Sequence, residues 1–152
     1  MITSYHYGAG NKKELNNILK RSSVIIGIVA IAMFGISEFL ANPLASAFVG
    51  YDKELLTMTT HAFRIYGIAF LFSGISIFGS AFFTALNDGL TSATIAFLRT
   101  LLFQCSSVLI MPIFFGLDGI WFSIIVAETL SVAVTITFLA IKNKKFGYWG
   151  KF

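Results

Sequence analysis

Apolar residues run almost unbroken through four stretches, residues 24–41, 65–86, 93–117 and 119–141, with polar residues gathered between and beyond them. A hydrocarbon core of about 30 Å needs about 20 apolar residues at a helical rise of ~1.5 Å, and each stretch comes close to that or exceeds it. Such runs are far too long for strands. The pattern therefore predicts an all-α, polytopic transmembrane helix bundle with four spans, at about 22–41, 57–86, 92–115 and 119–141. Residues 65–87 form the clearest segment, with no ionisable group except Tyr66.

The intervening residues predict how the spans are joined. In residues 1–21, Leu15, Ile18 and Leu19 recur at helical spacing, which suggests a short amphipathic helix on the inner membrane surface after an opening loop. Asn42-Pro43 is read as the end of the first span, and 43–49 as a short helical turn at the outer interface, since proline suits a first helical position. Gly50-Tyr51-Asp52 and Asn87-Asp88-Gly89 are turn signals. Pro112 should kink the third span, because it lacks a backbone donor and crowds the preceding turn. Ser73, Gly74, Ser76, Gly79 and Ser80 give the second span a small-residue face for close helix approach.

Composition removes the soluble alternative: 57% of the residues are hydrophobic, 12% are charged and seventeen are Phe. A soluble domain carries about twice that charge. The net charge of +4 does not imply nucleic acid as a partner, because the bases are not gathered with stacking aromatics on one face. Lys12, Lys13, Lys20 and Arg21 precede the first span, and Lys142, Lys144, Lys145 and Lys151 follow the last in a basic tail, 142–152. Basic flanks stay inside, so both termini are expected in the cytoplasm of a multi-pass cell-membrane protein, as an even span count also requires. Trp149 and Tyr148 suit the interfacial belt. A cleaved signal peptide ending near Ala45-Ser46-Ala47 is the competing account of the first segment, but the apolar run is longer than a signal core and carries Glu38. Lone Cys105 has no disulfide partner and no metal-ligand spacing.

No catalytic constellation can be assembled, so neither an enzyme nor a bound cofactor is expected. Gly8-x-Gly10 lacks the strand, the third glycine and the Lys-Ser/Thr pair of a phosphate loop. His61, three residues before Arg64, is placed either to respond to external pH or to serve as an interfacial structural residue. Intramembrane charges say more, since each costs several kcal/mol unless paired, hydrated or neutralised. Glu38 and Arg64 lie near the outer interface. Arg99 and Glu128 lie deeper. Counting down from a turn at 116–119 puts Glu128 near the midplane, level with Ser106 and Ser107, and leaves Arg99 about 12 Å closer to the cytoplasm. The expectation is that the two do not pair. Arg99 would reach inner headgroups or an inner cavity, while Glu128 would have hydroxyls and Gln104 as neighbours. Ser131 and Thr135 continue the Glu128 face. Desolvation disfavours a charged carboxyl, which makes Glu128 a candidate proton- or cation-contacting site, or a protonated structural hydrogen bond. Phe70, Phe72, Phe78, Phe82 and Phe83 either line a cavity for lipophilic cations or pack and face lipid.

Phe82-Phe83-Thr84-Ala85-Leu86-Asn87, Phe97-Leu98-Arg99, the run from Pro112 to Trp121, and Ala127-Glu128-Thr129-Leu130-Ser131 together resemble the multidrug and toxic compound extrusion (MATE) family. Tyr5-His6-Tyr7-Gly8-Ala9-Gly10-Asn11 resembles the segment after that family's eighth helix, and Phe63-Arg64-Ile65 the start of its tenth. The resemblance implies twelve helices in two lobes, a central cavity, and export of cationic or amphipathic compounds in antiport with H+ or Na+. This chain would supply the last four helices, needing the remaining helices and the lipid bilayer as partners, and would not transport alone. Arg99, Pro112, Trp121 and Glu128 stand at matching positions. Ile125 stands where the family often has proline, and Asn87 where it commonly has glycine. A fragment of a lipid-linked saccharide flippase and a four-helix scaffold or accessory protein are the alternative readings.

Overall fold

The computed structural model describes residues 2–149, so Lys151 of the predicted basic tail lies outside the described residues. Among the described residues the regular elements are helices: α1 Ile2–Gly8, α2 Lys12–Val49, α3 Lys53–Ile68, α4 Phe70–Ala85, α5 Gly89–Phe97, a π-helical segment Leu98–Gln104, α6 Cys105–Phe115 and α7 Leu117–Phe146. Three are long and apolar enough to cross a membrane, α2, the continuous α5–π–α6 helix and α7, and the bent pair α3–α4 makes a fourth candidate span. The spans alternate in direction. Both described chain ends meet at one end of the bundle, where the Tyr7 ring lies 5.5 Å from that of Phe146. We call this the terminal end and the other the far end.

Local signals start the helices where polar residues allow. Asn11 caps α2 by accepting the Glu14 amide, Asp52 caps α3 by accepting those of Glu54 and Leu55, and Asp88 caps α5 by accepting that of Thr91. Asn87, in the turn before α5, has φ +60°. It takes the left-handed conformation that a glycine there would adopt freely and asparagine tolerates.

Three features differ from the pattern-based expectation. First, α2 runs unbroken from Lys12 to Val49, so the basic segment 12–21 is the first turns of the span helix and not a separate surface helix. Second, Pro43 does not end that helix. Ala41 and Ala45, on either side of it, are both fully buried, and packing holds the helix where a proline would otherwise stop it. Third, the second span is not one helix: α3 and α4 meet at 43°. Around the break, the amides of Ala69 and Phe72 bond carbonyls three residues back, and the Ser37 hydroxyl of α2 donates to the Phe63 carbonyl at 3.4 Å. A side chain inserted into the ladder, next to Gly67, is a recognised cause of a kink.

The small residues of α4 seat three neighbours at once. A β-carbon at Gly74 would meet Ile26 of α2 at 2.8 Å, one at Gly79 would collide with the Thr135 methyl of α7, and Ser80 bonds Ser92 of α5 at 3.0 Å. Thr84 adds a 2.7 Å contact to the same Ser92 hydroxyl. Close backbone approach and hydroxyl bonds are what hold helices together in lipid, where apolar burial gives no net drive.

The densest packing lies at the terminal end. Leu15, Phe82, Phe83, Leu86, Ile95, Phe146 and Tyr148 form one buried cluster. Tyr148 donates its hydroxyl to the Leu139 carbonyl at 2.7 Å and meets Phe82 edge-on at 5.3 Å. Burial, and secondarily the charge of Asp88, pushes that hydroxyl well above the usual tyrosine range.

Candidate functional site

Glu128 is buried on α7, and what it faces corrects the sequence-based expectation. Arg99 pairs with it. The guanidinium Nη2 donates to Oε1 at 2.7 Å, and Nε donates to Oε1 and Oε2 at 3.1 and 3.2 Å. The glutamate side chain is 7% exposed and the arginine 26%. Two donors on one carboxylate give the strong, planar form of the interaction.

The depth count failed because the turn between α6 and α7 is lopsided. Gly119 lies directly against the Met111 carbonyl and the Pro112 nitrogen, so the last turn of α6 extends past the start of α7. From Met111 opposite Gly119, nine residues along each antiparallel helix bring Leu102, not Ser106 or Ser107, level with Glu128. Val126 and Leu130 line one groove with the π-segment residues Leu102 and Phe103 and with Ser106 and Ser107 one turn further on. Arg99 is then only three residues away, about 4.5 Å at helical rise, which a long side chain spans. It also stands in the π-helical segment Leu98–Gln104, whose wider turn re-aims the residues it carries. Such insertions in α-helices frequently accompany functional sites. The Cys105 thiol closes this segment on the Thr100 carbonyl, five residues back, at 3.8 Å.

Gln104, at the other end of the π segment, makes no hydrogen bond to either member of the pair. Ser131 and Thr135 continue the buried face from Glu128, as the spacing predicts, at 1% and 0% exposure. Their hydroxyls, and that of Ser76 on α4, have no hydrogen-bond partner among the described residues. The buried residues of α7 ahead of Phe146 are Gly119, Ser123, Ala127, Glu128, Ser131 and Thr135, so one seam of small residues at four-residue spacing carries a single charge. That spacing was visible in the sequence as a signal for the packing face of α7.

Chemically, the pair neutralises a carboxylate that hydrocarbon would otherwise penalise. Both oxygens are engaged by the guanidinium, so a proton or a cation reaches Glu128 only by competing with Arg99, the more exposed partner. Among the described residues no group of acids, histidines and cysteines could hold a metal ion.

Other charges pair at the two ends. Asp88 of the α4–α5 turn accepts from the Lys142 ammonium of α7 at 2.9 Å, with the carboxylate side chain 9% exposed. This contact first, opposed by burial, holds the Asp88 carboxyl below the usual carboxylate range. At the far end Arg64 lies 3.8 Å from Glu38, and His61 lies 3.4 Å from Asp118. The sequence reading named Glu38, Arg64 and His61 but not these pairings, because each joins two different helices.

Comparison with known proteins gives one result. The family model described as MatE matches residues 1–110. The match includes Arg99 and stops short of Glu128. No curated protein and no solved structure matches the chain.

Proposed function

The chain belongs to the MatE family, whose members are membrane transporters and not enzymes, and from that premise we propose that it contributes the last four helices of a twelve-helix, two-lobe exporter. In this reading the exporter moves cationic or amphipathic compounds across the cell membrane in antiport with H+ or Na+, and both described chain ends face the cytoplasm. The observation that carries it is the Arg99–Glu128 pair. A buried carboxylate neutralised by an internal cation is an exchangeable site: a proton, a sodium ion or a cationic substrate can take the place of the guanidinium when the helices re-pack. Arg99 is the counter-charge that leaves. Gln104, lacking a bond to the pair, has the role of a polar lining residue on the same π-helical segment.

The bundle also exposes apolar side chains such as Ile28, Val29, Ile31 and Phe39 along α2, surfaces suited to lipid and to the other helices of such a transporter. Alternating access in inverted-repeat transporters requires two bundles moving about one site. The 152-residue chain reconstituted alone in liposomes should therefore show no gradient-driven efflux of a fluorescent lipophilic cation. Efflux at the rate of a complete exporter would contradict the proposal. In the complete transporter, Glu128→Gln should abolish ion-coupled export, and unchanged transport with unchanged coupling would remove Glu128 from the mechanism. The flippase alternative needs basic residues free in a cavity for an anionic headgroup. Arg99, its one candidate, is engaged by Glu128.

A further inference from the structure

The bent second span and the far-end polar contacts belong together. α3 and α4 meet at 43° around Ala69. There the backbone has alternatives at hand: amides bonded three residues back, and a Phe63 carbonyl that accepts from Ser37 of α2. Backbone with two ways of satisfying its donors and acceptors is where a helix can change its bend at small cost.

Beyond that joint, α3 meets α7 across an incompletely filled apolar pocket of about 270 Å³ lined by Thr59, Ala62, Phe63, Tyr66 and Trp121. One charged contact bridges the same two helices. His61 Nε2 of α3 lies 3.4 Å from Asp118 Oδ1 of α7, both side chains about half exposed. Asp118 is in the first turn of α7, where the helix dipole favours a carboxylate.

The other charges near His61 do not take over this contact. Arg64, one turn along α3, has Glu38 of α2 at 3.8 Å as its own counter-charge. Asp52, Lys53 and Glu54 lie about two turns away at the start of α3, and α4, α5 and α6 carry no Asp, Glu, Lys, Arg or His. Asp118 is thus the acid that faces His61, and imidazole is the side chain whose ordinary titration falls between about pH 5 and 8.

We propose that α3 is a hinged segment, pivoting at Gly67–Ala69, and that the His61–Asp118 contact is a pH-sensitive latch which draws its far half onto α7 when His61 is protonated. The inference does not depend on the transport reading. Because both groups are half exposed, the charged latch shifts the ratio of closed to open α3 by about two- to fivefold.

The test uses the full 152-residue chain in lipid nanodiscs. Nitroxide labels at Met58→Cys and Leu117→Cys, both exposed positions, are placed in a Cys105→Ser background and read by the dipolar broadening of the EPR spectrum. Broadening should grow as pH falls from 8 to 5 and should be constant and weak in His61→Gln. His61→Lys, charged throughout, should hold the broadened spectrum at both pH values, which separates the latch from a loss of folding. A pH-independent wild-type spectrum, or the same pH response in His61→Gln, would overturn the proposal.

Discussion

The two ends of the bundle are built on different principles. At the terminal end, four of the spans' ends and the residues after α7 close around a cluster in which Phe83 and Tyr148 have no exposed surface, and the Asp88–Lys142 pair is largely shielded. At the far end the ion pairs are longer and half exposed, an apolar pocket stands open between α3 and α7, and the backbone is bent. The same helices run through both. The difference is which residues they carry there: interlocking aromatics and a tight pair at one end, solvated charges at the other. The Arg99–Glu128 pair lies between the two ends.

The comparison predicts a graded series of mutational effects, measurable as unfolding free energies in detergent or bicelles. Phe83→Ala should cost about 2–3 kcal/mol, less than a fully soluble core would lose because lipid-like surroundings remove much of the transfer term, but with the cavity term intact. Phe114→Ala at the far end, on an exposed side chain, should cost under about 0.5 kcal/mol. Equal losses would erase the distinction. Lys142→Met should cost about 1–2 kcal/mol, between the exposed and buried limits for an ion pair, and should change the acid response. The native Asp88 carboxyl is held below its ordinary range by Lys142, so its stabilisation is full above about pH 4 and is lost as pH falls through the lowered value. Removing Lys142 should flatten the stability profile below about pH 4; an unchanged profile would show that the pair is not what holds the proton off. Arg64→Gln, breaking a long and exposed contact, should change stability by under about 0.5 kcal/mol, and a loss comparable to that of Phe83→Ala would place the rigid region at the wrong end.

Much of this organisation was legible in the sequence wherever it depended on one helix at a time. Long apolar runs located the spans, and the i, i+3, i+7 spacing of Glu128, Ser131 and Thr135 marked a face that is in fact buried. What escaped depended on two helices at once. The Arg99–Glu128 contact turned on the register of α6 against α7, which Gly119 sets by letting the Met111 backbone approach, and on a π-helical segment that no residue pattern announced. The bend at Ala69 involves Ser37, far away in the chain. Pro43 was read by its intrinsic preference, whereas the burial of Ala41 and Ala45 decided the outcome.

A double-mutant cycle on Arg99→Met and Glu128→Gln, followed by reversible unfolding of the chain in bicelles, tests the central claim most directly. Each single change strands or loosens a buried partner, so the two losses should not add: a coupling energy on the order of 2 kcal/mol is expected, with the double variant more stable than the sum of the single losses implies. Additivity to within about 0.3 kcal/mol would mean that Arg99 and Glu128 do not meet, and the site built on their pairing would fall.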